Sequence, residues 1–234
     1  MAERVKRRKG LFLAALDKGA SRAALEQAIR AHKTEVSTDD GIELRWGLRL
    51  DEDAVGPIAH FDLMRNSPAP VDAVLQLASD DEDAAPRMAD LIADAAARLD
   101  GLLDRSRSSV LIGDEYRITA GDGPIMIVMP LRRLPHLSHD QFMDHWFRRH
   151  AALGESVDGV RYRQNHFDYD ATEALGQRLG LTAPPLDGIT ESFFLDTGEA
   201  YRLMSAPAVA VDAIIDEKRF IDHSRSHFAF YATV

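Results

Sequence analysis

The chain contains no cysteine. That excludes disulfides, thiol nucleophiles and thiolate metal sites, so any chemistry must come from other side chains. No apolar run approaches the ~20 residues that a membrane-spanning helix needs. The basic opening, MAERVKRRKGLFLAAL, has the outline of a signal peptide, but Asp17 and Lys18 end its apolar part at or below the ~7-residue minimum for such a segment. We read residues 11–16 as a first strand and the basic run as a solvated lead-in. An excess of positive charge is also missing: 28 Lys and Arg against 38 Asp and Glu leave a net charge of −10. That argues against a general binder of nucleic acid or anionic membrane. HExxH, GxGxxG, P-loop and GxSxG patterns are absent, and His145 and His150, five apart on a helix, should diverge, so no metal site is expected.

What remains is a chain of 234 residues with 45 % hydrophobic content, enough for one large domain or two of about half that length. The expected partner is a small molecule and the expected location cytoplasmic. The most informative stretch is 137–170, LSHDQFMDHWFRRHAALGESVDGVRYRQNHFDYD. Ser138 and Gln141 make a capping box, and Leu137 and Phe142 have the spacing of a hydrophobic staple. Phe142, Met143, Trp146 and Phe147 then form an apolar helix face on which His150 also falls. In the strand that follows, Tyr162, Gln164 and His166 alternate with Arg161, Arg163, Asn165 and Phe167. Neither side is a simple core face, so the strand either crosses solvent or lines a polar cavity.

Periodicity and turn residues give the order β-α-β-β-α-β up to about residue 119, and AGDGP at 120–124 punctuates the chain. The same order then repeats. APVDAVLQLASDD from Ala69 pairs with PPLDGITESFFLDT from Pro184, SRSSVLIGDEYRI from Ser106 pairs with SRSHFAFYATV from Ser224, and His32 corresponds to His150. The residues between 52 and 70 read as a turn-rich loop. The expected fold is α+β: two ferredoxin-like β-α-β-β-α-β units, residues 1–120 and 121–234, whose bare sheet faces pack together around a central cavity.

The second half resembles the EthD family of the dimeric α+β barrel superfamily. The resemblance lies in PLRRLPHLSHDQFMDHWFRRHAAL, RYRQNH, LDGITESFF and DEKRFIDHSRS, and the first half looks like a degenerate copy. The chain is therefore similar to a fused pair of barrel subunits, two of which could pair again as a homodimer. The family's Trp-x-x-x-His pattern falls on Trp146 and His150, its Tyr-x-x-x-His segment on Tyr162 and His166, and its Asp-Gly-x-x-Glu segment on Asp187, Gly188 and Glu191. In the first half Gln76 replaces Glu191 and a residue near Leu48 replaces His166. One pocket, built mainly by the second half, is thus expected.

The resemblance implies a cofactor-independent lyase, a dehydratase or decarboxylase of an aromatic or polyketide-like compound. His150, His166, Tyr162 and Glu191 are the candidate catalytic residues, with a His150–Glu191 pair favoured. Trp146, Gln164, Asn165, Phe193 and His223 are the candidate substrate contacts. Two imidazoles, a phenol and a carboxylate can supply acid and base near neutral pH without a cofactor. Asp187 is expected to fix the turn into its strand. The alternatives are a non-catalytic binding or accessory protein of a degradation pathway and a cofactor-free monooxygenase. Other branches of the superfamily bind haem through a histidine.

Overall fold

The structure, a computed structural model, describes all residues except 1–3 and 37–40. Its first strand, β1 (Lys6–Ala14), takes in the basic run that reads from sequence as a solvated lead-in. Alternation is the reason: Arg7, Lys9, Leu11 and Leu13 fall on one face of the strand, and all four are buried. Long apolar stems and nearby carboxylates allow the charged pair to follow the leucines inward.

Seven further strands follow: β2 (Glu43–Arg49), β3 (Ala73–Ser79), β4 (Ser109–Arg117), β5 (Ile125–Leu131), β6 (Arg161–Phe167), β7 (Gly188–Phe194) and β8 (Ala229–Thr233). They close into one antiparallel barrel in the order β1-β3-β2-β8-β5-β7-β6-β4. The junctions between halves are β2 with β8 and β4 with β6. Closure leaves no open edge.

The helices α1 (Arg22–Glu35) and α3 (Ala85–Arg98) cover the outer face of the first half. Ser21 caps α1 through its side chain. Leu25, Ile29, Met88 and Ile92 pack there against Phe12 and Trp46. The stretch between β2 and β3 is more than a loop, because it forms the short helix α2 (Ala59–Leu63) with His60 buried. Over the second half lie α4 (His139–Asp144), a π-helical turn (His145–His150) and α5 (Ala151–Glu155). The Ser138–Gln141 capping box forms as the spacing predicts, with bonds of 2.8 and 3.1 Å. After these come α6 (Tyr169–Arg178), α7 (Thr197–Met204), a second π-helical turn (Ala208–Ala213) and α8 (Ile214–Glu217). No helix of the described residues is long and apolar enough to cross a membrane.

A pocket opens at the polar end of the barrel, lined by Lys9, Gln76, Arg163 and Asp122, but the middle of the interior, where the repeat predicts a central cavity, is filled. It is packed by Leu11, Leu13, Val74, Met126, Phe193 and Tyr231 from both halves. At its polar end Lys9 bonds Glu115 at 2.9 Å and Glu191 at 2.8 Å, and Gln76 bonds Glu191 at 2.6 Å. Gln76 and Glu191, equivalent positions in the sequence repeat, thus meet inside the barrel.

Candidate active site

On β7, Ile189, Glu191 and Phe193 point into the barrel, and Gly188, Thr190, Ser192 and Phe194 point outward to the helix layer. The outward side matters here, because a cavity of about 90 Å³ lies between this sheet face and the second-half helices. Gly188 is required for close approach: a Cβ there would stand 2.3 Å from the Trp146 ring. Trp146 is fully buried, and its Nε1 donates to the Tyr162 hydroxyl at 3.1 Å. Gln164 donates to the same hydroxyl at 2.8 Å and to the Trp146 carbonyl at 2.9 Å. Two incoming donors fill the acceptor sites of the Tyr162 oxygen, and its own proton lies within reach of the Thr190 hydroxyl on the cavity wall. Burial pushes the phenol well above its usual range, so that proton is held at neutral pH.

The ionisable groups come from α8. Asp216 lies 3.0 Å from His145 Nε2 and 3.0 Å from His150 Nδ1. The next residue, Glu217, lies 3.4 Å from His60 Nε2 and 3.0 Å from His223 Nε2. Adjacent helix residues point in different directions, so the two carboxylates serve two separate histidine pairs. The π-helical turn explains how His145 and His150 reach one carboxylate. They diverge on an α-helix, but i→i+5 winding stacks residues five apart.

The hydrogen bond from His150, followed by that from His145, holds the Asp216 carboxyl at about 2 against its burial. Burial opposes the charge of Glu217 still more strongly, yet His60 and His223 keep its carboxyl well below the usual range. Both are therefore ionised at neutral pH. His150, His60, Tyr162, Thr190, Ser192 and Glu217 supply the polar atoms of the cavity wall. The rest of the lining is apolar, including Ile127, Val160, Phe194 and Phe228. His150 Nε2 has no hydrogen-bond partner among the described residues, and His60 Nδ1 is buried without one. Two imidazole rings thus line the cavity, each hydrogen-bonded to a carboxylate through one nitrogen and without a partner on the other among the described residues.

Several sequence expectations are corrected here. The favoured His150–Glu191 pair does not form, because the two side chains lie on opposite sides of the sheet. Glu191 is fully buried in the barrel on Lys9 and Gln76. Asn165 also points inward, donating to the Ile189 carbonyl at 3.1 Å. Phe193 lies in the interior beneath the Arg163 guanidinium, 4.1 Å from its centroid. His166 shares the helix-facing side with Tyr162 and Gln164 as predicted, but packs against Tyr116, Trp146 and Phe147 outside the cavity. His223 reaches the site through Glu217. Asp187 behaves as expected, accepting from the Arg133 amide at 2.8 Å where the chain enters β7.

His60, Asp216 and Glu217 are not among the sequence candidates. His60 sits in a segment that reads as loop. Asp216 and Glu217, in DEKRFIDHSRS, look like an ordinary solvated helix end. The histidine at 223, six residues after Glu217, was the one signal available.

Burial lowers His166 from 6.5 to about 4, and the same cause lowers His227 to about 4. Below 6.5 the unfolded chain binds protons that these folded imidazoles refuse, so stability must fall as pH drops from about 6.5 to about 4. His166→Phe should flatten part of that slope in urea titrations across this window. An unchanged slope would contradict the buried neutral assignment.

Residues 134–224 match the EthD domain, a span that holds Tyr162, His150, Asp216 and Glu217. No curated protein matches the sequence. Among solved structures, a candidate chlorite dismutase is 11 % identical with a TM-score of 0.53, over 98 % of this chain and 95 % of that one. A candidate monooxygenase from Lactobacillus acidophilus is 10 % identical with a TM-score of 0.51, over 98 % and 94 %. A haem-binding protein from Thermus thermophilus is 11 % identical with a TM-score of 0.52, over 99 % and 93 %. At such identities the likeness is one of fold. Residues 134–224, which hold both histidine-bearing carboxylates, thus match the EthD domain within an α+β fold built on an eight-stranded antiparallel barrel.

Proposed function

We propose that this protein is a cofactor-independent lyase that removes water or carbon dioxide from a small, largely apolar carbonyl compound. One observation carries the reading: adjacent ionised carboxylates hold His150 and His60, both of which line the same largely apolar cavity and keep one nitrogen unpartnered among the described residues. With Nδ1–H donating to Asp216, His150 Nε2 carries a lone pair and acts as general base. The carboxylate behind it compensates the charge that the ring acquires with the proton. His60, hydrogen-bonded to Glu217, is the group that returns a proton to the leaving group or the product. The Tyr162 hydroxyl donates to the oxygen on which negative charge develops. The apolar walls keep water away from the enolate.

Haem, which the Thermus thermophilus relative is described as binding, does not fit this cavity. His150 has the carboxylate-backed imidazole that suits an iron ligand. The cavity volume of about 90 Å³, however, is smaller than the ~150 Å³ cavity that admits benzene. No Lys or Arg lines it to meet the propionates. Aromatic and polyketide-like substrates, which the family resemblance implies, would place only their reacting end in the cavity.

The barrel reads as two ferredoxin-like units, residues 1–120 and 121–234. The strand order supports this, since β4-β1-β3-β2 in one half corresponds to β8-β5-β7-β6 in the other. So do the side chains. In the first half His32 meets Trp46 and Asp94, a grouping like that of His150 with Tyr162 and Asp216, although Trp46 takes the register position of Gln164. The two imidazoles meet their aromatic partners edge-on at 5.7 and 6.4 Å. In the first half Trp46 donates to His32 and fills the space, so a single working site per chain is the natural reading.

The test is a panel of hydroxy-carbonyl and keto-acid compounds, each incubated with the wild type and with His150→Gln and followed by mass spectrometry. A product lighter by water or carbon dioxide, formed by the wild type and not by the variant, supports the lyase. Oxygen gain in the product would identify a monooxygenase, and retention without conversion a binding protein.

A further inference from the structure

The charge around the cavity selects among substrates, and this argument rests on the acid–base reading above. None of the lining residues is Lys or Arg. Glu217 is part of the wall, and Asp216 stands immediately behind His150, both ionised. The arginine paired with Asp216, Arg219, lies 3.3 Å from it, with a side chain 65 % exposed. It faces solvent and offers nothing to a bound ligand. A carboxylate entering the cavity would lose its hydration, meet no Lys or Arg, and find the acid of the reaction, His60, already bonded to Glu217. A neutral carbonyl compound meets none of these penalties. It finds the Tyr162 hydroxyl, Thr190 and Ser192 as hydrogen-bonding groups among apolar walls.

We infer that the site takes a neutral β-hydroxy carbonyl compound, and that its reaction is dehydration rather than decarboxylation. His150 Nε2 removes the proton α to the carbonyl. The C–H electron pair becomes the new C=C bond. The β C–O bond breaks as the His60 imidazolium protonates the departing hydroxyl, giving water and an unsaturated carbonyl product. Exchange of one proton from His150 back to His60 through solvent restores the starting state, with no oxidant or reductant consumed.

The experiment compares isobutyramide with isobutyrate, probes of the same shape that differ in charge. Binding near neutral pH is followed through the histidine imidazole resonances by NMR, in the wild type and in Glu217→Gln. The amide is expected to bind about tenfold more tightly than the acid, with a smaller gap in the variant. Equal or tighter binding of isobutyrate would overturn the charge selection, and so would silence from both probes at tens of millimolar. The substrate panel separates the two readings. A preference for the amide with no dehydration of any neutral compound would remove the lyase and leave the selectivity. Turnover of keto acids with loss of carbon dioxide would do the reverse.

Discussion

Lys9→Met is expected to lower the stability of the fold by about 3–5 kcal/mol, the usual consequence of removing one partner from a buried ion pair. Lys9 is 1 % exposed, and the two carboxylates it joins, Glu115 and Glu191, are fully buried. Burial by itself would push Glu115 up, yet Lys9 and Arg163 hold it well below the carboxylate range. Without the ammonium, Glu191 keeps only Gln76 as a bonded partner among the described residues. The two carboxylates would then repel each other across the barrel. Urea unfolding measures the loss. Adding Glu191→Gln to the Lys9→Met chain should recover a large part of it, because the amide removes the uncompensated charge. A Lys9→Met chain as stable as the wild type would show that the network adds nothing to the barrel.

The second large effect is catalytic. Asp216→Asn should lower kcat by about 10²–10⁴-fold, the range attached to a positioned acid–base group. Asp216 is a positioning residue that acts through His150. The amide still reaches the ring but can donate to Nδ1. It then favours the tautomer that places a hydrogen on Nε2, where the base needs a lone pair. Asp216→Glu, which keeps the charge, should restore part of the rate, an outcome a merely structural role would not give.

How much of this was legible in the sequence follows from where each signal resides. Period-two alternation correctly grouped Tyr162, Gln164 and His166 on one side of β6, and the capping box fixed the start of α4. Local patterns of this kind need no tertiary information. Alternation does not say which side faces the barrel and which the helices, so Glu191, Asn165 and Phe193 were grouped with His150 across a sheet that separates them. The basic run before Leu11 looked solvated because its partners, Glu115 and Glu191, lie 106 and 182 residues further along the chain. The π-helical winding that brings His145 to Asp216 leaves no mark in residue spacing. His60 crosses from the first half to a cavity otherwise lined by the second, so a repeat-based reading assigned the first half a purely structural part.

The central claim is that His150 Nε2, held by Asp216, removes a proton from a carbonyl compound in this cavity. The most direct measurement is deuterium incorporation α to the carbonyl of a small neutral ketone in deuterium oxide, followed by mass spectrometry. It does not require the natural substrate. Faster incorporation with the wild type than with buffer, abolished by His150→Gln and reduced about 10²-fold or more by Asp216→Asn, is the result this account predicts. Incorporation at the same rate in all three proteins would contradict it.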